Sequence, residues 1–198
     1  MERDDRPGLS VARHRRDRTT AHLAGWSSQL NTGRLQPVSM TVVIRSAEVG
    51  DIDVLTQLLG EVQDLHVANR PETFRVLVAN EIAEMLRACL ENPSANLWVA
   101  DVDGVARGYL AVVVRQTPQG PYSFERTWME LDSVGVHRDY RRQGVARALV
   151  KAALAHAEGA GIREVELASW AFNEGAHAAF RKLGFVPKIV RFEFSSSQ

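Results

Sequence analysis

The chain has 198 residues, enough for one domain and a tail, and 45% of them are hydrophobic, so it can bury a sizeable core. Its 24 basic and 24 acidic side chains cancel, which leaves no global field to select nucleic acid or an anionic membrane. Cys89 is the single cysteine, which excludes an internal disulfide and a cysteine-based zinc site. The histidines are scattered without ligand spacing, so no metal is expected. Apolar runs such as Tyr109 to Val114 fall far short of the roughly 20 residues needed to cross a bilayer. No secretory leader pattern is visible, and the expected location is the cytoplasm.

In chain order, residues 1–39 come first. They hold Arg3, Arg6, Arg13, Arg15, Arg16, Arg18 and Arg34 against four acids, with few large apolar residues. Such a segment cannot offset its ordering entropy by burial, so a disordered extension is expected. Met40 stands just before the first strand pattern and is a candidate physiological start, which mass spectrometry of the native protein would test. The domain is expected over 40–198.

Thr41 to Ile44 is β-branched and predicts a strand. Asp51 is placed to cap a helix whose inward face carries Ile52, Leu55, Leu59, Val62 and Leu65. His66 to Phe74, with Pro71, predicts a loop. A second helix is expected from Asn80, with Ile82, Met85, Leu86, Cys89 and Leu90 inward, stopped at Asn92-Pro93. Asp103-Gly104 signals a hairpin between Leu97–Ala100 and Val105–Arg115. Trp128 to Val136 predicts a strand, Val145 to Glu158 a helix, and Arg163 to Ala168 a strand. A last helix carries Ala176, Phe180 and Leu183, and Val186 to Phe194 predicts a closing strand. The order β-α-α-β-β-β-α-β-α-β gives a three-layer α/β domain with a mixed sheet.

The stretch from Val134 to Ala148 carries the most chemistry. A strand ends at Val136, a charged turn follows, and Gly144-x-Ala146 opens an alanine-rich helix. Amides at such a helix start suit an anion, above all a phosphate. Arg141, Arg142 and Gln143 put positive and polar groups where the helix dipole also favours an anion. Gly144 permits close backbone approach. No Gly-Lys-Ser/Thr follows, so this is not a Walker loop, and the dinucleotide glycine pattern is missing. Taken alone, the stretch also fits an ordinary strand–turn–helix with solvated arginines.

Arg141-x-x-Gly144-x-Ala146 resembles the Arg/Gln-x-x-Gly-x-Gly/Ala motif of the GNAT N-acetyltransferase superfamily. Downstream, Ser169-Trp170-Ala171-Phe172-Asn173, Ala176, and Phe180-Arg181-Lys182-Leu183-Gly184-Phe185 resemble that family's closing strand, Asn-capped helix and Leu-Gly-Phe turn. The resemblance covers about residues 41–194 and is strongest from Met129 to Phe185. It implies an α/β/α fold with a mostly antiparallel mixed sheet, splayed where acetyl-CoA enters as co-substrate. It further implies that Arg141, Arg142, Gln143, Gly144, Val145 and Ala146 hold the pyrophosphate. Val134, Gly135 and Val136 would pair with the pantetheine through their main chain, and Asn173 would approach it besides capping its helix. Family members often pair through a sheet edge or the last strand, and a homodimer is compatible with that.

Transfer from a thioester to an amine needs a neutral nucleophile. A lysine-like amine is free base about once in 2,500 molecules at pH 7, an α-amine roughly one time in ten. A general base therefore matters most for the first. Glu130 and Asp132 lie two apart on one strand face. Glu130 is the favoured base, acting directly or through water, against the plainer reading that both pair with arginines; His66 and His177 are weaker candidates. Many family members place Tyr four residues before the closing-turn Gly, to protonate the sulfur. Phe180 stands there and has no proton to give. Ala168 replaces a Glu frequent in members acting on protein N-termini, which lowers that class. The acceptor, a small-molecule or peptide amine, would be chosen by His66–Phe74 and the Pro118–Pro121 loop. A non-catalytic acyl-CoA-binding regulatory domain is the alternative, and a nucleic-acid module resting on the arginine arm is a distant third.

Overall fold

The computed structural model describes residues 19–24 and 39–194. The remainder of the arginine-rich segment lies outside the described residues, as does the serine-rich end. A six-stranded sheet runs in the order β1 to β6: Thr19–Ala24, Ser39–Ser46, Ala95–Val102, Val105–Thr117, Arg126–Val136 and Glu164–Leu167. The first five are antiparallel neighbours, and β6 runs parallel to β5. The sheet is thus mixed and mostly antiparallel, as expected.

Four α-helices cover it: α1 Ile52–Asn69, α2 Ala79–Glu91, α3 Val145–Gly159 and α4 Glu174–Lys182. Leu55, Leu58, Ile82 and Leu86 pack with Leu97, Val99 and Tyr109 on one face. Val145, Leu149, Val150 and Ala153 of α3 pack with Val42, Leu110, Val112, Met129 and Leu131 on the other, where Phe180 and Leu183 at the end of α4 join the margin. β3 is buried on both faces from Leu97 to Ala100 because it lies mid-sheet between the two helix layers. Asp103 and Gly104 turn the β3–β4 hairpin with φ of 50° and 86°, the left-handed pair that a tight hairpin demands.

Several expectations are corrected. Residues 19–24 form β1, paired along β2 from Thr19↔Ile44 to Ala24↔Ser39. The expected unstructured segment therefore contributes an edge strand: Thr-Thr-Ala-His-Leu-Ala carries β-propensity that the surrounding arginines mask. Val186–Phe194 is not a strand. Val186, Ile189, Val190, Phe192 and Phe194 are all exposed, and the segment is tied by side chains instead, Lys188 to Glu164 and Glu166, Glu193 to Arg70. Pro187 removes one ladder donor there.

Asp51 does not cap α1 with its side chain. Its carboxylate accepts from the Glu48 amide at 2.8 Å and takes the Arg45 guanidinium end-on at 2.7 and 2.8 Å. That guanidinium holds the Asp51 carboxyl below the usual carboxylate range. On α1, Leu58 faces the core and Leu65 faces solvent. α2 starts at Ala79, ahead of Asn80, with the Glu81 side chain accepting from the Val78 amide at 3.0 Å. Met85 is exposed.

Candidate functional site

β5 changes character half-way along. Its β4 register runs Val112↔Leu131 and then Ala111↔Ser133, so Asp132 is an extra residue in a bulge. Below the bulge β5 is paired on both sides, with β6 meeting it from Trp128↔Glu164 to Leu131↔Leu167. β6 ends at Leu167. From Asp132 to Val136 the side of β5 away from β4 therefore faces no strand among the described residues. Alternate main-chain groups of a strand point to that side. This is the gap expected at Val134, Gly135 and Val136. Val134 and Val136 turn their side chains into the α3-side core.

Gly135 has no room for a side chain. A Cβ there would lie 2.4 Å from Tyr109 Cε1 and 3.0 Å from Val62 Cγ2 of α1. Tyr109 is fully buried, and its hydroxyl bonds Ser133 Oγ at 2.7 Å. Burial pushes the Tyr109 phenol up to about 12, so it stays protonated and holds the bulge from beneath.

The strand leads into a loop that is locked from inside. Arg141 Nε donates to Val136 O at 2.9 Å, and its far nitrogen reaches Glu61 of α1, also at 2.9 Å. Glu61 draws Arg138 as well, at 3.6 Å. Gln143 Nε2 donates to Asp139 O at 2.7 Å. The Arg107 guanidinium lies 4.9 Å over the Tyr140 ring. Arg141 and Gln143 thus spend their side chains on loop shape, and Val136 O is already taken. The side chain of Arg142 is exposed and has no partner among the described residues.

Left-handed residues punctuate the turn, Arg142 at φ 62° and Gly144 at 88°, the kind of backbone that gathers amides into an anion cradle. A non-glycine residue in that region costs about 1–2 kcal/mol, and such strain collects at ligand sites. Gly144 is the N-cap of α3, with no side-chain cap and no acid in the first turn. The first amides of α3, from Val145 and Ala146 on, start uncapped, where the helix dipole favours negative charge. The donor set suits a diphosphate.

On the opposite wall, Asn173 caps α4 by accepting from the Ala176 amide at 3.2 Å. Trp170 and Phe172 just before it meet His66 of α1 and Phe74 of the following loop. His66 lies within α1, which continues to Asn69. The Pro118–Pro121 segment departs from expectation. It joins β4 to the start of β5, about 20 Å along the strand from Asp132 at the usual rise.

Glu130 lies on the α1 side of β5 and is ion-paired to Arg115 at 2.9 Å. Asp132 is exposed on the same side, and its charge acts on Tyr109 and Cys89. His177 sits in α4. Phe180 meets Phe185 edge-on at 5.9 Å and borders the α3-side core, so packing is its role. Among the described residues no cluster of His, Cys, Asp and Glu could hold a metal ion, and no helix is long and apolar enough to cross a membrane.

Sequence reasoning missed Glu61, Tyr109 and Ser133, for which no local signal was readable; Phe74 lies in the His66–Phe74 segment that it had singled out for the acceptor.

Residues 60–185, which include the half-free strand β5, the loop after it and the uncapped start of α3, are matched by the model of the acetyltransferase (GNAT) family. The chain belongs to that family. Rat N-acetyltransferase family 8 member 3 is 30% identical over 106 residues, 54% of this chain and 45% of the relative. Rat N-acetyltransferase 8 is 28% identical over 53% of this chain and 46% of its own length. The chain thus spans about half the length of these curated relatives. Among solved structures, a mutant of the BH1408 protein from Bacillus halodurans superposes with a TM-score of 0.72 at 23% identity, covering 78% of this chain and 99% of that one. The aminoglycoside N-acetyltransferase AAC(6')-Iy in complex with CoA gives 0.64 at 19% identity, over 83% and 99%. At these identities the structures establish the GNAT fold. The family match establishes membership in the GNAT acetyltransferase family.

Proposed function

We propose that this chain transfers an acetyl group from acetyl-CoA to the primary amine of a small molecule. The observation that carries the reading is the continuity of β5 with α3. The edge from Asp132 to Val136 leads, through a short 3-10 turn at Arg138–Tyr140, into the Arg142–Ala146 turn with its left-handed residues and uncapped amides. A diphosphate on those amides lays the pantetheine along the strand edge, with the thioester toward the bulge. That a solved neighbour of the same fold holds CoA supports the donor.

In the transfer, the amine nitrogen bonds to the acyl carbon and the carbon–sulfur bond breaks. The nitrogen loses a proton and the sulfur leaves as thiol. Edge amides near Ser133 are placed to donate to the carbonyl oxygen as it gains charge. Glu130 serves as base through water, held in place by Arg115. Asn173 orients the pantetheine from the facing wall. Phe180 offers no proton, but a thiol with pKa near 8.5 is a tolerable leaving group.

Two measurements test the reading. Calorimetry should detect acetyl-CoA binding, and thiol release should follow when amines are added. Binding with no turnover on any amine would favour the second reading, an acyl-CoA-binding regulatory domain, which the missing phenol at Phe180 supports. No heat at all would overturn both.

A further inference from the structure

Four aromatic rings gather beside the gap, and none belongs to either core cluster. His66 lies 4.8 Å from Phe74 and 5.9 Å from Phe172. Phe74 stands edge-on to Trp170 at 5.2 Å, and Trp170 stacks near Phe172 at 6.3 Å with planes 15° apart. They come from three separate places: the last turns of α1, the loop before α2, and the turn before Asn173. Rings that only fill an interior are buried. Trp170 keeps 37% of its surface exposed, and the other three are half-buried. An aromatic group left open to water beside a ligand gap suits an apolar ligand that completes its packing.

Its position follows from α1. Val62 packs beneath Gly135 on the free half of β5. His66 is four residues further, so the two side chains share one helix face about 6 Å apart. The rings therefore begin one helical turn from the free strand edge, and they end at Phe172, adjacent to Asn173.

Charge narrows the occupant. The cation touching these rings is Arg70, 5.3 Å over Trp170. Its guanidinium is held by Glu72 and, at 2.8 and 2.9 Å, by Glu193 from the C-terminal segment. Arg70 is thus committed, and so are both acids beside it. Among the described residues a substrate carboxylate finds no open cation against the rings, and the two acids beside Arg70 are paired with it.

The geometry points to an acceptor subsite for a primary amine borne on a flat apolar body, an arylalkylamine with no carboxylate beside the amine. The inference rests on the acyl-transfer reading above. The amine would enter over Trp170 and Phe74 and reach the acyl carbon at the bulge, with the thiol leaving along the gap.

The experiment is thiol release by the full chain at saturating acetyl-CoA, with 2-phenylethylamine, propylamine, phenylalanine and kanamycin as acceptors. 2-Phenylethylamine should exceed the other three at least tenfold in kcat/KM. Trp170→Ala and Phe74→Ala should each raise its KM about tenfold, the factor that one lost ring stack supplies. Trp170→Phe should keep most of the preference. Acetyl-CoA affinity by calorimetry should stay unchanged in all three variants, which also reports their folding. Equal rates on all amines, a preference for phenylalanine or kanamycin, or an unaltered preference in both alanine variants overturns the subsite. So does acetyl-CoA binding without turnover of 2-phenylethylamine. Absent acetyl-CoA binding removes the acyl-transfer reading itself, and the subsite with it.

Discussion

The turns on the two sides of the gap are built on opposite plans. The turn after β5 satisfies its side chains internally, Arg141 on Val136 O and Glu61, Gln143 on Asp139 O. What it presents outward is main chain. The turn after β6 caps α4 through Asn173 and leaves Trp170 and Phe172 as open rings. A ligand shared by a whole family is read by amides, whose geometry a short glycine motif enforces. A ligand peculiar to one member is read by side chains, which differ freely. On the proposed reading, recognition of the donor is a backbone property and recognition of the acceptor a side-chain property.

The contrast breaks most severely at Gly144. Glu at this position puts a charge at the proposed diphosphate site and a Cβ at φ 88°. Acetyl-CoA affinity by calorimetry should fall at least about 100-fold, the scale of a like charge placed at a binding contact. Gly144→Ala, which adds only the backbone strain, should fall less. Equal affinity in Gly144→Glu and the parent would end the backbone account.

Tyr109 sharpens it from beneath. Its folded-state value near 12 lies above the ordinary value near 10, so the neutral phenol is the form favoured by folding. That stabilisation is complete below pH 10 and drains away as pH climbs from 10 through 12, amounting to roughly 2–3 kcal/mol. Urea midpoints should drop across this window in the parent. In Tyr109→Phe the drop should be smaller, and the variant should cost about 1 kcal/mol at pH 8 for the unpartnered Ser133 hydroxyl. Parallel curves for the two proteins would refute this assignment.

Glu61 gives the smallest effect. It holds Arg138 and Arg141 through exposed ion pairs, which are worth at most about 1 kcal/mol. Glu61→Gln should raise KM for acetyl-CoA up to about fivefold and leave KM for the amine alone. A larger change in the amine term would mean that α1 shapes the acceptor wall as strongly as the donor loop.

Much of this was readable from residues. The β-branched run Thr41–Ile44, the Asp103-Gly104 hairpin, the Arg141-x-x-Gly144-x-Ala146 turn and the Asn173 cap are local signals, and each sits where its spacing placed it. The failures share one cause. Asp51 stays at the N-cap position of α1 but turns its carboxylate to Arg45, six residues back at the end of β2. Val186–Phe194 had strand-forming side chains but no ladder. Thr19–Ala24 became a strand because β2 offered an edge. In each case a partner outside the element itself, present or missing, outweighed local propensity.

Sequence alone determined the turn into α3, because a positive-φ glycine, a helix start and an apolar period of 3.6 are all set within a few residues of chain. Tertiary structure alone decided the gap and its walls. β6 stops at Leu167 while β5 runs on to Val136, and that mismatch exists only once the two strands pair. His66, Phe74, Trp170 and Phe172 lie up to about a hundred residues apart in the chain. They become one surface because α1 packs across the sheet, a juxtaposition that burial of distant apolar residues enforces and no local pattern encodes.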